Sequence, residues 1–370
     1  MKKVTIVGAG LSGLTAAIIL AREGCEVTVL EQKGGIGGAS LHASTVIGRE
    51  LCFADMTPLD LDAMGRYLGF PMSLGSSSAP FCNPLPVLRM RAFGEVIELK
   101  FPDNVHMKMV ERGSRASSID MHLYSLAKDS GVTFSFDTKV SSRKDFAGLP
   151  PGSIVATGMF RQAFEALDIP YTKAYGYFAG GIAPVGKNPF CVAYFNEHTQ
   201  DYAYYASANG VGAAVLFQRG KPLSVEALDW FPKQLAIDEG LEFPEWRMIE
   251  NMVGTPTESF SNPRLFSGNL ILTGTLAGMQ DPSMVLGVHG ALVSGKIAAM
   301  AVNDRDAAQK EFARMNKWWK LSYFTRRFLW ATHPWGPRRL VPAVLKLQSH
   351  MDPRYMWMVN PAVPGYMRLP

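Results

Sequence analysis

Three glycines and one acid near the amino terminus have the types and spacing to hold a nucleotide. Gly8, Gly10 and Gly13 directly follow the β-branched apolar run Lys3 to Val7 and precede a helical stretch, Leu14 to Arg22. Gly24 closes that stretch, and a second strand-like run, Glu26 to Leu30, ends in Glu31. Strand, glycine turn, helix, strand and acid is the order of a dinucleotide-binding unit. Gly8 permits the tight turn, Gly10 leaves room for a pyrophosphate against the backbone, and Gly13 lets the helix lie close to the sheet. The helix start, with Leu11 and Ser12, offers free N–H groups and a positive dipole end to phosphate. The Glu31 carboxylate suits ribose hydroxyls and disfavours a 2′-phosphate. A membrane or signal segment is the rival reading. The glycines, Ser12, Thr15 and the early Arg22-Glu23 argue against it.

Such residues need a large frame. With 370 residues and a net charge of +5, the composition suits an α/β chain of two domains. Cys25, Cys52, Cys82 and Cys191 are scattered without a CxxC pair, so neither a metal site nor a disulfide framework is expected. A reducing, cytoplasmic setting fits.

Along the chain, Gln32 to Ser40 is a loop rich in glycine, including Gly38 beside Ala39. Val87 to Met90 and Glu95 to Phe101 read as antiparallel strands. Ser114 to Lys128 has helical spacing, and Val132 to Phe136, Lys139-Val140 and Ser153 to Ala156 are strand-like. Tyr171 to Gln218 crowds aromatics into alternating runs, as a sheet with one exposed face would. Pro222 to Met252 reads as helical, Leu270 to Thr273 as a buried strand, and Gly287 to Val302 as a small-residue helix.

The order of these pieces resembles the flavin-dependent family that includes geranylgeranyl reductases and the aromatic-hydroxylase-type flavin monooxygenases. The resemblance runs over residues 1 to 302. After the glycine turn and Glu31 come Arg115, Asp120, Leu123, Ala127, Gly131-Val132 and Val140, then Ala156-Thr157-Gly158. Gly274-Thr275-Leu276-Ala277-Gly278, Pro282, Gly287, Ser294-Gly295 and Ala298-Ala299 complete the pattern. Thr275 replaces a family Asp, and Val285 stands where the family has the first Gly of a Gly-x-Gly turn.

The resemblance implies FAD as cofactor. Gly8, Gly10, Leu11, Ser12, Gly13, Glu31, Gln32, Gly38 and Ala39 are expected around its adenosine and pyrophosphate. Arg115 is expected to help hold it, the backbone near Val140 to meet the adenine, Ala156, Thr157 and Gly158 to form a second nucleotide-contact turn, and Gly274, Thr275, Gly287 and Val288 to lie at the ribityl chain and ring. His42 is where some flavoproteins carry a covalent flavin link; a packed or solvent-facing histidine is the other reading. The implied fold is α/β. A Rossmann-like FAD-binding domain of mostly parallel sheet takes residues 1–75, 105–160 and 264–304. A second, antiparallel-sheet substrate domain takes 76–104 and 161–263, and 305–370 form a C-terminal helical segment.

The stretch Ile47 to Cys52 is similar to one in the reductases where a Cys lies near the flavin. Tyr202-x-Tyr204-x-Ala206-Ser207 resembles their substrate motif. A hydrophobic, isoprenoid or lipid-like substrate reduced at a C=C bond is therefore expected, with Cys52, Tyr204 and His289 as candidate proton donors. A buried small hydrophobe and core packing are the plain readings of Cys52 and the Tyr cluster. A flavin monooxygenase acting on an aromatic ring and a non-catalytic flavin-binding protein are the alternatives. No second glycine fingerprint is present, so the electron donor is expected to be a redox protein or NAD(P)H meeting the flavin transiently.

From Asp304 onward the chain has 12 Lys and Arg against 4 Asp and Glu, and five of the seven Trp. Aromatics interleaved with cations suit a bilayer interface, so peripheral membrane contact is one expectation. A helical lid with solvated cations is the other. No nucleic-acid module accompanies the charge.

Overall fold

The opening strand, Lys3–Val7, pairs in parallel with Glu26–Leu30 on one side and Ile154–Val155 on the other. Parallel neighbours need a crossover, and Leu11–Arg22 supplies it as a helix. The computed structural model describes residues 1–37, 45–47, 50–73, 79–101, 106–256, 263–352 and 369. Leu270–Leu272 and Thr133–Ser135 extend the parallel order, and Phe266–Ser267 closes one edge antiparallel. The Leu11–Arg22 helix is apolar on most sides because the sheet and two helices, Ile119–Asp129 and Val288–Asn303, surround it. Glycine sets these distances: a Cβ on Gly13 would fall 2.0 Å from the Gly8 carbonyl oxygen, and one on Gly295 2.6 Å from that of Ser12.

A second, seven-stranded sheet runs Arg247–Pro256, Tyr171–Ile182, Val211–Arg219, Tyr202–Ala208, Phe190–Phe195, Val87–Ala92, Glu95–Lys100. It is antiparallel except where Phe190–Phe195 meets Val87–Ala92. The strand period of two divides its residues. Val192, Tyr194, Ala203, Tyr205, Ala214 and Leu216 pack towards the Val225–Glu239 helix with Phe231 and Leu235. Their neighbours Cys191, Ala193, Tyr202, Tyr204, Val215 and Phe217 face the other way. A four-stranded sheet, Thr45–Ile47, Glu50–Pro58, Met107–Gly113, Cys82–Pro84, lies between the two larger ones in the chain's path.

The α/β expectation holds, with a parallel sheet, antiparallel sheets and carboxy-terminal helices at Arg305–Thr332 and Trp335–His350. Two local expectations do not. Pro222 to Met252 is not helical throughout: Gly240, at φ 64°, ends the helix, and Arg247–Pro256 pairs with the edge strand Tyr171–Ile182. An edge with open hydrogen-bonding groups outweighed helical spacing there. Lys139-Val140 is a loop rather than a strand. Asp137, at φ 53°, turns the chain, and the Thr138 N–H donates to the Glu31 carbonyl at 2.9 Å.

A buried ion cluster ties the long carboxy-terminal helix to the second sheet. Asp201 accepts from the Arg219 backbone N–H at 2.8 Å and from Arg219 Nε at 3.0 Å, and it also pairs with Arg326. All three side chains are at least 97% buried, and the Trp330 ring lies against both guanidinium groups. One carboxylate between two cations is a stable arrangement in so dry a place only while all three are present.

Candidate functional site: a nucleotide cleft opening on an aromatic chamber

A cleft of about 430 Å³ runs across the carboxyl ends of the parallel strands. This is where an open α/β sheet binds ligands, because the chain leaves the sheet to opposite faces there. Gly8, Gly10, Leu11 and Ser12 form its floor. Glu31 is buried and holds the turn in place. Its Oε2 accepts from the Ala9 N–H at 2.9 Å, and its Oε1 from the Lys33 N–H at 2.9 Å. Gln32, Val140, Ala156, Thr157 and Gly158 line one flank, and Gly274, Thr275, Gly287 and Val288 another. Ser294 braces the far turn: its Oγ accepts from the Gly274 N–H at 2.8 Å and lies 3.0 Å from Thr273 Oγ1.

Three features show that the cleft fits a dinucleotide. A Cβ added to Gly10 would meet nothing within 4 Å, so the space over this backbone is open. The helix that begins at Leu11 has no side-chain cap, which leaves its first N–H groups for an anion. Thr157 Oγ1 is buried in the wall without a hydrogen-bond partner among the described residues.

Several expected residues sit elsewhere. Gly13 does not line the cleft; it serves the helix–turn contact described above. Arg115 turns away to Glu111, at 3.3 Å, and to the Asn209 carbonyl, at 3.4 Å. Arg112 takes the cleft position in its stead. Its guanidinium is held by Asp120 through two bonds of 2.8 and 2.9 Å, and Asp120 also accepts from the Gly113 N–H at 3.0 Å. Burial works against the Arg112 charge, but the Asp120 carboxylate more than offsets it, and its pKa is raised. Gly38, Ala39 and His42 lie outside the described residues.

Next to the cleft is a smaller chamber of about 60 Å³. Tyr202, Tyr204, Val215 and Phe217 of the second sheet wall it, with Met284 and Leu286 opposite. At that size it has room for roughly four to six waters, or one end of an apolar molecule. Phe53, Asp55 and Val285 line both the cleft and the chamber, so they form the partition between them. Val285 has φ 58°, a left-handed backbone that a β-branched residue rarely adopts. A glycine at this turn would carry no such strain, which is the physical sense of the family's Gly there.

Of the three expected proton donors, Tyr204 alone reaches the chamber. Burial, with Asp55 nearby, pushes its hydroxyl pKa well up, so it stays a neutral donor. Cys52 is fully buried and lines neither cavity, because Phe53 and Asp55 take the facing side of the Glu50–Pro58 strand. His289 is buried in the first turn of the Val288–Asn303 helix and lines neither cavity.

The group that sequence reasoning missed is Asp55. It is half-buried in the partition, and burial lifts its pKa to about 6, against the pull of Arg112. The Met56 backbone also pulls it down, and Asp120 pushes it up. The only trace of it in the sequence is one carboxylate inside the apolar strand Leu51-Cys52-Phe53-Ala54-Asp55-Met56.

Known proteins share parts of this design. The family model for FAD dependent oxidoreductases matches residues 3–81. Residues 3–81 are thus similar to that family, over about a fifth of the chain. The cofactor that this match indicates is FAD. The protein FixC of Salmonella typhi is 31% identical over 101 residues, which cover 26% of this chain and 24% of that protein. The chain thus spans about a quarter of the length of the curated relatives it matches in this way. Solved structures extend the likeness of fold to nearly the whole chain. A geranylgeranyl bacteriochlorophyll reductase-like protein of Thermoplasma acidophilum superposes with a TM-score of 0.69 at 15% identity, covering 97% of this chain and 96% of that one. The p-nitrophenol 4-monooxygenase of Pseudomonas putida does so at 0.61 and 12% identity, covering 99% of each.

Proposed function

We propose that this chain is an FAD-dependent reductase that adds hydrogen across a C=C bond of a hydrophobic substrate, isoprenoid or lipid-like. The observation that carries this reading is the partition of Phe53, Asp55 and Val285, where an apolar, aromatic chamber meets the FAD cleft. FAD held in the cleft would supply, once reduced, the hydride chemistry for one alkene carbon. The chain's own residues do the rest. The glycine turn and the uncapped helix start bind the pyrophosphate. Tyr202, whose hydroxyl donates to the Met284 carbonyl, fixes one chamber wall to the loop that bears Val285. The chamber seats the reacting end of the substrate and excludes water from it. Asp55 holds a proton at the partition and gives it to the second alkene carbon, and Arg112 steadies the carboxylate that remains. The electron donor in this reading is NAD(P)H or a redox protein.

The test is anaerobic. The protein is loaded with FAD, reduced, and offered short allylic isoprenoids. Reoxidation of the flavin with a product two hydrogens heavier is expected. Reoxidation that needs oxygen and gives a hydroxylated product would assign a monooxygenase instead. A protein that takes up no FAD would refute both.

A further inference from the structure

The Trp335–His350 helix is apolar on two sides. Val341 and Leu345 pack inward against the Val87–Ala92 and Glu95–Lys100 strands, and Pro342 is buried with them. Leu340, Val344 and Leu347 recur at i, i+4 and i+7 on the outer side. A helix resting on a protein in water normally carries polar residues there. The end of the preceding helix repeats the feature with Phe324 and Phe328, one turn apart. These five and Trp335 are between 37% and 63% exposed, and they are six of the thirteen exposed large apolar side chains among the described residues. Scattered exposed apolar residues need no explanation, but such a concentration does.

The charge that the stretch itself carries has one sign. Residues 312–351 contain eight Lys and Arg and no Asp or Glu. Arg338 and Lys346 reach surface acids elsewhere, Glu197 and Glu95. Arg327 and Arg339 are exposed and have no acidic partner among the described residues.

We propose that the outer face of the two carboxy-terminal helices docks on an anionic lipid bilayer. Apolar side chains on the same helices as the exposed Arg327 and Arg339 match its two layers, acyl chains beneath negative headgroups. No described helix is long and apolar enough to cross a membrane, so the contact lies on the surface. A second copy of the chain is a poorer occupant, since the same face on both partners sets cation against cation. The inner side of the first of these helices holds the chamber's surroundings. Arg326 pairs with Asp201, and the Ser322 carbonyl lies 3.4 Å from Ser283 Oγ, next to the Met284–Leu286 wall. This proposal stands on the helices alone and does not depend on the reaction at the flavin.

The experiment is sedimentation of the full-length, FAD-loaded protein with vesicles of phosphatidylcholine alone or mixed equally with phosphatidylserine. Binding to the mixed vesicles only is expected. It should be lost as salt rises from about 0.1 M to about 1 M, where the screening length falls from about 10 Å to about 3 Å. Arg327→Ala with Arg339→Ala should weaken it about thirtyfold, from about 1 kcal/mol per cation. The triple change Leu340→Ser, Val344→Ser, Leu347→Ser should weaken it while leaving flavin content and circular dichroism intact. An unchanged, salt-independent distribution between the two vesicle types would overturn the proposal. So would a dimer in vesicle-free buffer that the triple change dissolves, because the face would then belong to a second copy.

Discussion

Replacing Asp55 with Asn should slow the enzyme and stabilise it at once. An aspartate ordinarily titrates near 3.8, and this one near about 6, because burial penalises its charged form. Between those values the folded chain holds more protons than the unfolded one, so stability falls as pH rises through that window. Above pH 6 the full penalty applies, about 3 kcal/mol for this difference. Asp55 keeps part of its surface open to the cleft, so water there softens the penalty to about 1–3 kcal/mol. Asp55→Asn keeps the shape and removes the charge, and Arg112 keeps its two bonds to Asp120. Urea unfolding of the flavin-free protein should show the variant more stable than the parent at pH 8 and equal to it at pH 3. The proposed alkene reduction should drop by about 10²–10⁴, as for loss of a general acid. The parent's rate should decline as pH rises through about 6, and the variant's should not. Two results would refute the reasoning: a variant that keeps its full rate, or one that loses rate and stability together at pH 8. The second outcome would mark the side chain as structural.

Gly10→Ala should fold normally yet lose FAD affinity, since its methyl group points into open space meant for pyrophosphate. Gly13→Ala should instead cost about 2 kcal/mol or more of stability, because its methyl group meets the Gly8 carbonyl. Flavin titration beside thermal unfolding separates the two. Asp201→Asn strands two buried guanidinium groups, Arg219 and Arg326, and should destabilise the chain by about 3–5 kcal/mol in urea unfolding. Cys52→Ala should leave the rate of flavin reoxidation by substrate unchanged, since this side chain lines neither cavity.

The nucleotide half of the site was legible in the sequence because its determinants are local. A tight turn, a close helix and an uncapped N-terminus depend on residues within one supersecondary unit, and only glycine meets the first two. Gly8, Gly10 and Glu31 therefore announce themselves, as do the Thr157 and Gly274 turns at strand ends. The substrate half depends on which strand face looks where, and a register shift of one residue inverts that. Hence Cys52 read as a candidate while Asp55, three residues on and facing the partition, did not. Likewise Arg115 fitted the spacing of a cleft cation, but a nearby acid at Glu111 drew it off, and the Asp120 carboxylate fixed Arg112 in that place. The basic, aromatic tail was plain from composition. That its apolar residues split into an inner and an outer face was decided by packing against the Val87–Ala92 and Glu95–Lys100 strands. The sequence by itself determined the cofactor and the glycine turn, whose geometry is written in adjacent residues. Only the tertiary structure decided the partition, the burial of Asp55 and the outer face of the last helices, because each arises where segments far apart in the chain exclude water from one another.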